Sequence, residues 1–277
     1  MDLDLVVQAL VMGIVQGLTE FLPISSSGHL VLIPYLADWD DAFITSLQFS
    51  VMLHLGTLAA LLIYFWRDWL RIVPAGVRAI RDRSFAGDPD RRLAWLLAVT
   101  VVPASIVGVL FDDVIESSLR TPGLVALLLV LGAAVMWLAD RWGAKRRTES
   151  ELGFPAALGI GMAQALALAP GVSRSGITIS AGLFAGLTRE AAARFGFLMA
   201  TPITAGAGLW EVRALMSGDT GLDVPLAPLI VGMVAALVAG LIAIGFLLRY
   251  LRTRSLSIFV AYRLVLAAIV VVAFLNP

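Results

Sequence analysis

A chain of 277 residues that is 60% hydrophobic and only 14% charged cannot clothe a water-facing surface. Its 20 Lys+Arg cancel its 20 Asp+Glu, so there is no basic field of the kind that nucleic-acid binding needs. The absence of cysteine excludes disulfides, a thiolate nucleophile and Cys-ligated zinc or iron–sulfur centres.

Asp2 and Asp4 stand where a secretory leader would be basic, and no small-residue cleavage pattern follows. No removable signal peptide is expected, and residue 1 onward reads as membrane-embedded protein. The first apolar stretch, 4–36, is too long for one crossing and is interrupted by Pro23 and a serine run. It reads as a helix–break–helix hairpin. Crossings of about 20 residues are expected near 43–66, 93–111 and 121–140. A second interrupted stretch, 152–187, forms another hairpin, followed by crossings near 190–213, 225–248 and 255–275. Irregular backbone at membrane depth survives only against protein or a water-filled cavity, so each break is expected to line a site.

The loops alternate in charge. Basic segments lie at 67–92 (Arg67, Arg71, Arg78, Arg81, Arg83, Arg91, Arg92), 141–147 (Arg141, Lys145, Arg146, Arg147) and 249–254 (Arg249, Arg252, Arg254). Acidic ones contain Asp38, Asp40 and Asp41, then Asp112, Asp113 and Glu116, then Asp219 and Asp223. Cytoplasmic loops carry the excess Lys and Arg. The signs alternate correctly only if both interrupted stretches are re-entrant, leaving both termini outside the cytoplasm.

Gly13 to Gly28 lies over Gly161 to Gly176 without a gap, an offset of 148 residues. Gly13, Gln16, Leu18, Ser25, Ser27 and Gly28 recur as Gly161, Gln164, Leu166, Ser173, Ser175 and Gly176. Each half then holds one hairpin and three crossings, and the odd number inverts the second half. The expected fold is an all-α polytopic membrane protein with six transmembrane helices plus two re-entrant helical hairpins in inverted-topology repeats. It is a single integral membrane domain over 1–277, with halves of about 1–148 and 149–277. In such folds substrate sits near the midplane where the broken elements meet.

Gln16 and Glu20, four apart, project from one helical face. A carboxylate at membrane depth costs roughly 2.5–3.5 kcal/mol and usually marks function; the alternative is a helix-end group at interface depth. Ser25, Ser26 and Ser27 open a new half-helix, and three hydroxyls exceed what capping needs. His29, beside them, can act as base, nucleophile or metal ligand. His54, inside the first full crossing beside Gly56, reads as a packed helix-contact residue. In the second break, Ser173, Arg174 and Ser175 precede Thr178, and Arg174 is the only charge between Leu152 and Leu187. A buried guanidinium needs an anion: either Glu20, as a structural pair, or a ligand phosphate gripped by its planar fork. Half-helix N-termini and clustered serines make an anion cradle. A carboxylate beside phosphate must be protonated, position water or hold a divalent cation such as Mg²⁺. Hydrolysis of a phosphorylated lipid fits this set. The alternative is an inverted-repeat transporter or flippase of a phosphorylated lipid or organic anion.

At these residues the chain resembles the undecaprenyl-diphosphatase family, the bacitracin-resistance proteins of bacterial membranes. QGLTE (Gln16 to Glu20) matches its Glu/Gln-x-x-x-Glu motif, LPISSSGH (Leu22 to His29) its Ser/Thr-rich segment and PGVSRSGIT (Pro170 to Thr178) its Pro-Gly-x-Ser-Arg-Ser motif. The likeness extends to LHLGTLAALLIYFWR (Leu53 to Arg67) and AYR (Ala261 to Arg263). It implies removal of the terminal phosphate of undecaprenyl diphosphate, bacitracin tolerance, an outward-opening site in the bacterial inner membrane, and a homodimer. It makes Glu20 the essential acidic group, binding Mg²⁺ (or Ca²⁺) or activating the attacking species. Ser26 and His29 compete as nucleophile. Arg174 holds the diphosphate, assisted by Gln16, Ser25, Ser27, Ser173, Ser175 and Thr178. An imidazole attacks unaided near neutral pH, which favours His29 if Glu20 orients its ring. Two departures weaken the metal reading: Gln16 stands where many members have Glu, and Ser50 where an acidic residue is expected.

Overall fold

The computed structural model describes residues 3–85, 87–118, 121–217 and 225–275, and the side chains of all of these except 112–118, 122, 211, 214–217 and 274–275. The side chains of Asp112, Asp113 and Glu116, and residues Asp219 and Asp223 altogether, lie outside the described residues. The described chain is helical: α1 (Leu3–Phe21), α2 (Ser26–Ala37), α3 (Leu47–Tyr64), α4 (Trp66–Asp82), α5 (Pro89–Ser118), α6 (Pro122–Trp142), a single 3-10 turn (Glu149–Glu151), α7 (Phe154–Leu166), α8 (Arg174–Phe184), α9 (Arg189–Ser217), α10 (Leu226–Leu251) and α11 (Ser257–Leu275).

Five helices among the described residues are long and apolar enough to cross a membrane: Leu3–Phe21, Leu47–Tyr64, Pro89–Phe111, Gly123–Trp142 and Leu226–Leu251. Large apolar side chains also face outward, including Val109 at 83% and Trp210 at 72% exposure, an arrangement suited to lipid. The protein is therefore a multi-pass membrane protein. Four of the five helices coincide with expected crossings. The fifth is α1, expected as one arm of a hairpin; its break falls only after Phe21, and nineteen helical residues extend about 28 Å. The other two expected crossings, α9 and α11, are continuous helices outside that set. Charged Arg189, Glu190 and Arg194 open α9, and α11 is apolar throughout apart from Arg263, with side chains described over Ser257–Ala273.

The basic segment expected as a loop at 67–92 is largely helical. In α4, Trp66, Leu70, Val73, Val77 and Ile80 form an exposed stripe at three- and four-residue spacing, and Ala75 and Ala79 are buried. Interspersed arginines lower its hydropathy, which hides a helix from a search for long apolar runs.

Small residues set the packing. Gly13 and Gly17 of α1 lie four apart against the backbone of α10, where a Cβ on Gly13 would meet the Gly232 carbonyl and one on Gly17 the Ala236 carbonyl. In lipid, where apolar burial drives little association, such close approach of helices is the main attraction. The equivalent Gly161 of α7 lies against the backbone of α5 at Thr100. The pairing is reciprocal: the first half's α1 packs along α10, and the second half's α7 along α5. Phe21, Phe65 and Phe197 pack together at the end of α1, with ring centroids 5.4 Å (Phe21–Phe197) and 6.4 Å (Phe65–Phe197) apart.

Gly17→Ala places a methyl group 2.5 Å from the Ala236 carbonyl oxygen and should cost about 1–3 kcal/mol. Gly159→Ala, with nothing within 4 Å, should cost nothing. Thermal unfolding in detergent compares them, and equal midpoints would mean that α1 and α10 are not in this contact.

Candidate active site

Both breaks have the same local design. Ser25 (φ 76, ψ 92) and Ser173 (φ 73, ψ 113) hold a backbone conformation rarely adopted by L side chains, costing of order 1–3 kcal/mol each. Each side chain then caps the helix that follows: Ser25 Oγ accepts from Gly28 N at 3.3 Å and Ser173 Oγ from Gly176 N at 3.1 Å. Each also lies near the serine two residues on, Ser27 at 3.5 Å and Ser175 at 3.3 Å. The breaks are joined directly. Gly171 N donates to Ser25 Oγ at 3.1 Å, and Ser175 Oγ donates to the Leu22 carbonyl at 3.1 Å.

Behind the second break, Arg263 of α11 is fully buried. Its Nε donates to Leu129 O (3.1 Å), Nη1 to Val172 O (3.1 Å), and Nη2 to Gly171 O (2.7 Å) and Leu128 O (3.2 Å). One guanidinium thus ties α6 and the second break to α11.

Glu20 ends α1 at this junction, 9% exposed. Its Oε2 accepts from Gln16 Nε2 at 3.1 Å and Ser26 Oγ at 2.5 Å, and lies 3.3 Å from His54 Nε2. Its Oε1 lies 3.7 Å from Arg174 Nη2, while Arg174 Nη1 donates to Thr204 Oγ1 at 2.6 Å. His54 Nδ1 sits 2.7 Å from the Ser50 carbonyl, which can only accept, so Nδ1 carries a proton. Nε2 faces the Glu20 carboxylate.

The sequence expectation joined Glu20 to His29; the structure joins it to His54. His29 is held 2.6 Å from the Ser25 carbonyl by Nδ1 and 2.7 Å from Tyr262 Oη by Nε2, its ring stacked on Tyr262. Nδ1 must donate to the carbonyl, so in the neutral ring the Nε2 lone pair accepts from Tyr262. One helical turn beyond Ser25, His29 faces α11 and not α1.

Of the residues singled out in the sequence, Gln16, Glu20, Ser26 and Arg174 come together around one carboxylate. Ser25, Ser27, Ser173 and Ser175 make the caps and the stitch. Thr178 Oγ1 donates to the Arg174 carbonyl at 2.8 Å and packs towards Gly196. Sequence reasoning missed His54, Thr204 and the role of Arg263. The one signal for His54 was a polar ring inside an apolar span; Arg263 was visible only as part of AYR.

As a protein-only metal cage the site is too sparse: among the described residues no group of three His, Asp or Glu stands together. Two oxygens at the site are nonetheless open to a divalent cation. Glu20 Oε1 has no hydrogen-bond donor among the described residues, and Gln16 Oε1 is buried without a partner there. These two oxygens suit an ion that takes its other ligands from water and phosphate.

Arg263→Lys offers one point charge to four carbonyls spread over two segments and cannot bridge them. It should lower stability by at least about 2 kcal/mol, read by thermal unfolding in detergent; an unchanged midpoint would remove the clamp role.

The family described as Bacitracin resistance protein BacA matches residues 9–269. A protein of Desulforudis audaxviator named undecaprenyl-diphosphatase is 45% identical over 265 residues, 96% of each chain. One of Moorella thermoacetica with the same name is 46% identical over 269 residues, covering 97% of this chain and 98% of its own. A third, from Thermomicrobium roseum, is 46% identical over 270 residues, 95% of each. With the match spanning nearly the whole chain and including both breaks, the protein belongs to the bacitracin resistance family.

Proposed function

We propose that the protein is a membrane phosphatase that hydrolyses undecaprenyl diphosphate to undecaprenyl phosphate and inorganic phosphate. It thereby recycles the carrier lipid of cell-wall synthesis and confers bacitracin resistance by removing the diphosphate. The observation that carries this reading is the Ser26 hydroxyl donating at 2.5 Å to a buried carboxylate, with Arg174 alongside. The names of the relatives point to the same substrate.

Ser26 stands at the first turn of α2, where the helix dipole favours an incoming anion. Arg174 and the α8 N-terminus hold the diphosphate. Ser26 Oγ attacks the terminal phosphorus while Glu20 takes its proton; the bond from that phosphorus to the bridging oxygen breaks, and undecaprenyl phosphate leaves. Glu20 passes the serine proton to the departing phosphate and, free again, takes one from water as the water cleaves the phosphoserine ester, then returns it to Ser26 as phosphate is released. The commitment of the His29 lone pair to Tyr262 favours serine over imidazole as nucleophile. A divalent cation, Mg²⁺ by its donor preference, bound at Glu20 Oε1 and Gln16 Oε1, would neutralise phosphate charge.

In this reading α3, α5, α6, α9, α10 and α11 cross the bacterial inner membrane, and α1–α2 and α7–α8 are re-entrant in inverted repeats. Both termini and the site's mouth face outward. Reciprocal packing of α1 on α10 and α7 on α5 supports the inversion. The cytoplasmic end is supported by ion pairs gathering the basic segments: Arg194 with Asp68 (2.6 Å) and Glu149 (3.1 Å), Arg189 with Asp140 (2.6 Å) and Arg252 with Glu190 (2.9 Å).

Purified protein in detergent should release phosphate from undecaprenyl diphosphate, and saturable binding without turnover would favour a transporter. Ser26→Ala should lose on the order of 10³-fold or more in kcat. Acid quench with terminal-phosphate label should leave acid-stable label in the 25–27 peptide. Acid-labile, base-stable label would restore His29, and no label under any quench would indicate direct attack by water. Arg174→Lys should fail almost as badly as Arg174→Ala, since ammonium lacks the fork; a lysine variant with most of the wild-type kcat/KM would reduce Arg174 to a simple charge. Because the chain has no cysteine, single thiols at Arg83, Lys145 and Arg252 should label only from the cytoplasm, and one at Asp40 from outside. The opposite pattern would invert the orientation.

A further inference from the structure

A cavity of about 150 Å³ opens beside the Glu20 cluster, between α3, α5, α7, α8 and α9. At about 30 Å³ per water it has the room of roughly five waters, enough for one phosphate group and too little for a prenyl chain. Its polar lining is His54, Gln164, Arg174 and Thr204. His54 and Arg174 therefore each face two ways, towards Glu20 and towards this cavity, while no carboxylate lines it.

Gln164 is the group without an explanation. It is 2% exposed, and among the described residues neither its Nε2 nor its Oε1 has a hydrogen-bond partner. A buried amide left unpaired destabilises the fold that holds it. Its repeat counterpart Gln16 spends its Nε2 on Glu20, but the same offset of 148 puts Leu168 where Glu20 would stand, so the second half has no carboxylate for the amide. The cavity also borders the first residue of α8, at the positive end of that helix.

We propose that this cavity is a binding site for phosphate itself, in which the Gln164 amide and the Arg174 guanidinium hold the terminal phosphoryl group and retain it as inorganic phosphate after release. The assignment rests on the diphosphatase reading. It orients the substrate: the terminal phosphate lies between Ser26 and the side chains of Gln164, Arg174 and Thr204, with the lipid-linked phosphate on the side away from Ser26. Gln164 is then a substrate ligand, not a packing residue.

The test uses the full chain in detergent with inorganic phosphate as probe. Phosphate should raise the unfolding midpoint of the wild type and inhibit turnover. Gln164→Leu removes the unpaired amide and keeps the side chain's bulk, so its midpoint without phosphate should equal or exceed that of the wild type. Its inhibition constant for phosphate should rise about tenfold or more, as expected for losing a hydrogen bond to a charged ligand. Gln164→Glu, nearly the same shape with a repelling charge, should abolish the phosphate effect. A drop in the phosphate-free midpoint of Gln164→Leu would make Gln164 structural, and unchanged inhibition in both variants would remove it as a ligand; either result overturns the proposal. If the wild type shows no turnover but its midpoint still rises with phosphate, and rises less in both variants, the diphosphatase reading fails while the phosphate site stands.

Discussion

A helix interrupted inside a membrane leaves N–H and C=O groups that lipid cannot satisfy, and the whole site depends on how this chain satisfies them. The two interruptions supply each other. Ser25 Oγ accepts from Gly28 N in its own half and Gly171 N in the other, Ser175 donates to the Leu22 carbonyl, and Arg263 collects four carbonyls from α6 and the second break. Mutual satisfaction forces the breaks to be neighbours. Adjacency in turn sets the end of α1, with Glu20, against the starts of α2 and α8, with Ser26 and Arg174.

The same economy accommodates a carboxylate that is only 9% exposed. An isolated buried charge would cost several kcal/mol. Glu20 instead receives the Gln16 amide and the Ser26 hydroxyl, and has His54 Nε2 3.3 Å and the Arg174 guanidinium 3.7 Å away. That looseness matters. A tight Arg174–Glu20 pair would be a finished structural unit, whereas a guanidinium divided between Thr204 and Glu20 keeps donor capacity for an anion.

What the sequence revealed was local. The four-residue spacing of Gln16 and Glu20 does produce their hydrogen bond, and the serine runs do begin half-helices, because spacing and capping are properties of a few consecutive residues. The helix α4 escaped notice because its arginines mask a periodic apolar stripe. His54 and Thr204 escaped for a different reason: each reaches the site from a helix distant in sequence, and nothing around it in the chain signals a partner. His29 misled because nearness to Ser26 in sequence suggested a shared site, yet three residues of helix turn its ring towards Tyr262.

The offset that aligns the two breaks also places Arg174 over Ser26 and Leu168 over Glu20. The two segments share a scaffold, down to the unusual backbone angles at Ser25 and Ser173, and differ in the side chains they add to it. On the function proposed above, two copies of the first segment would bring two serines and two carboxylates with no guanidinium to draw an anion in. Two copies of the second would capture an anion and leave it intact. That proposed reaction therefore needs the two unlike segments together in one chain.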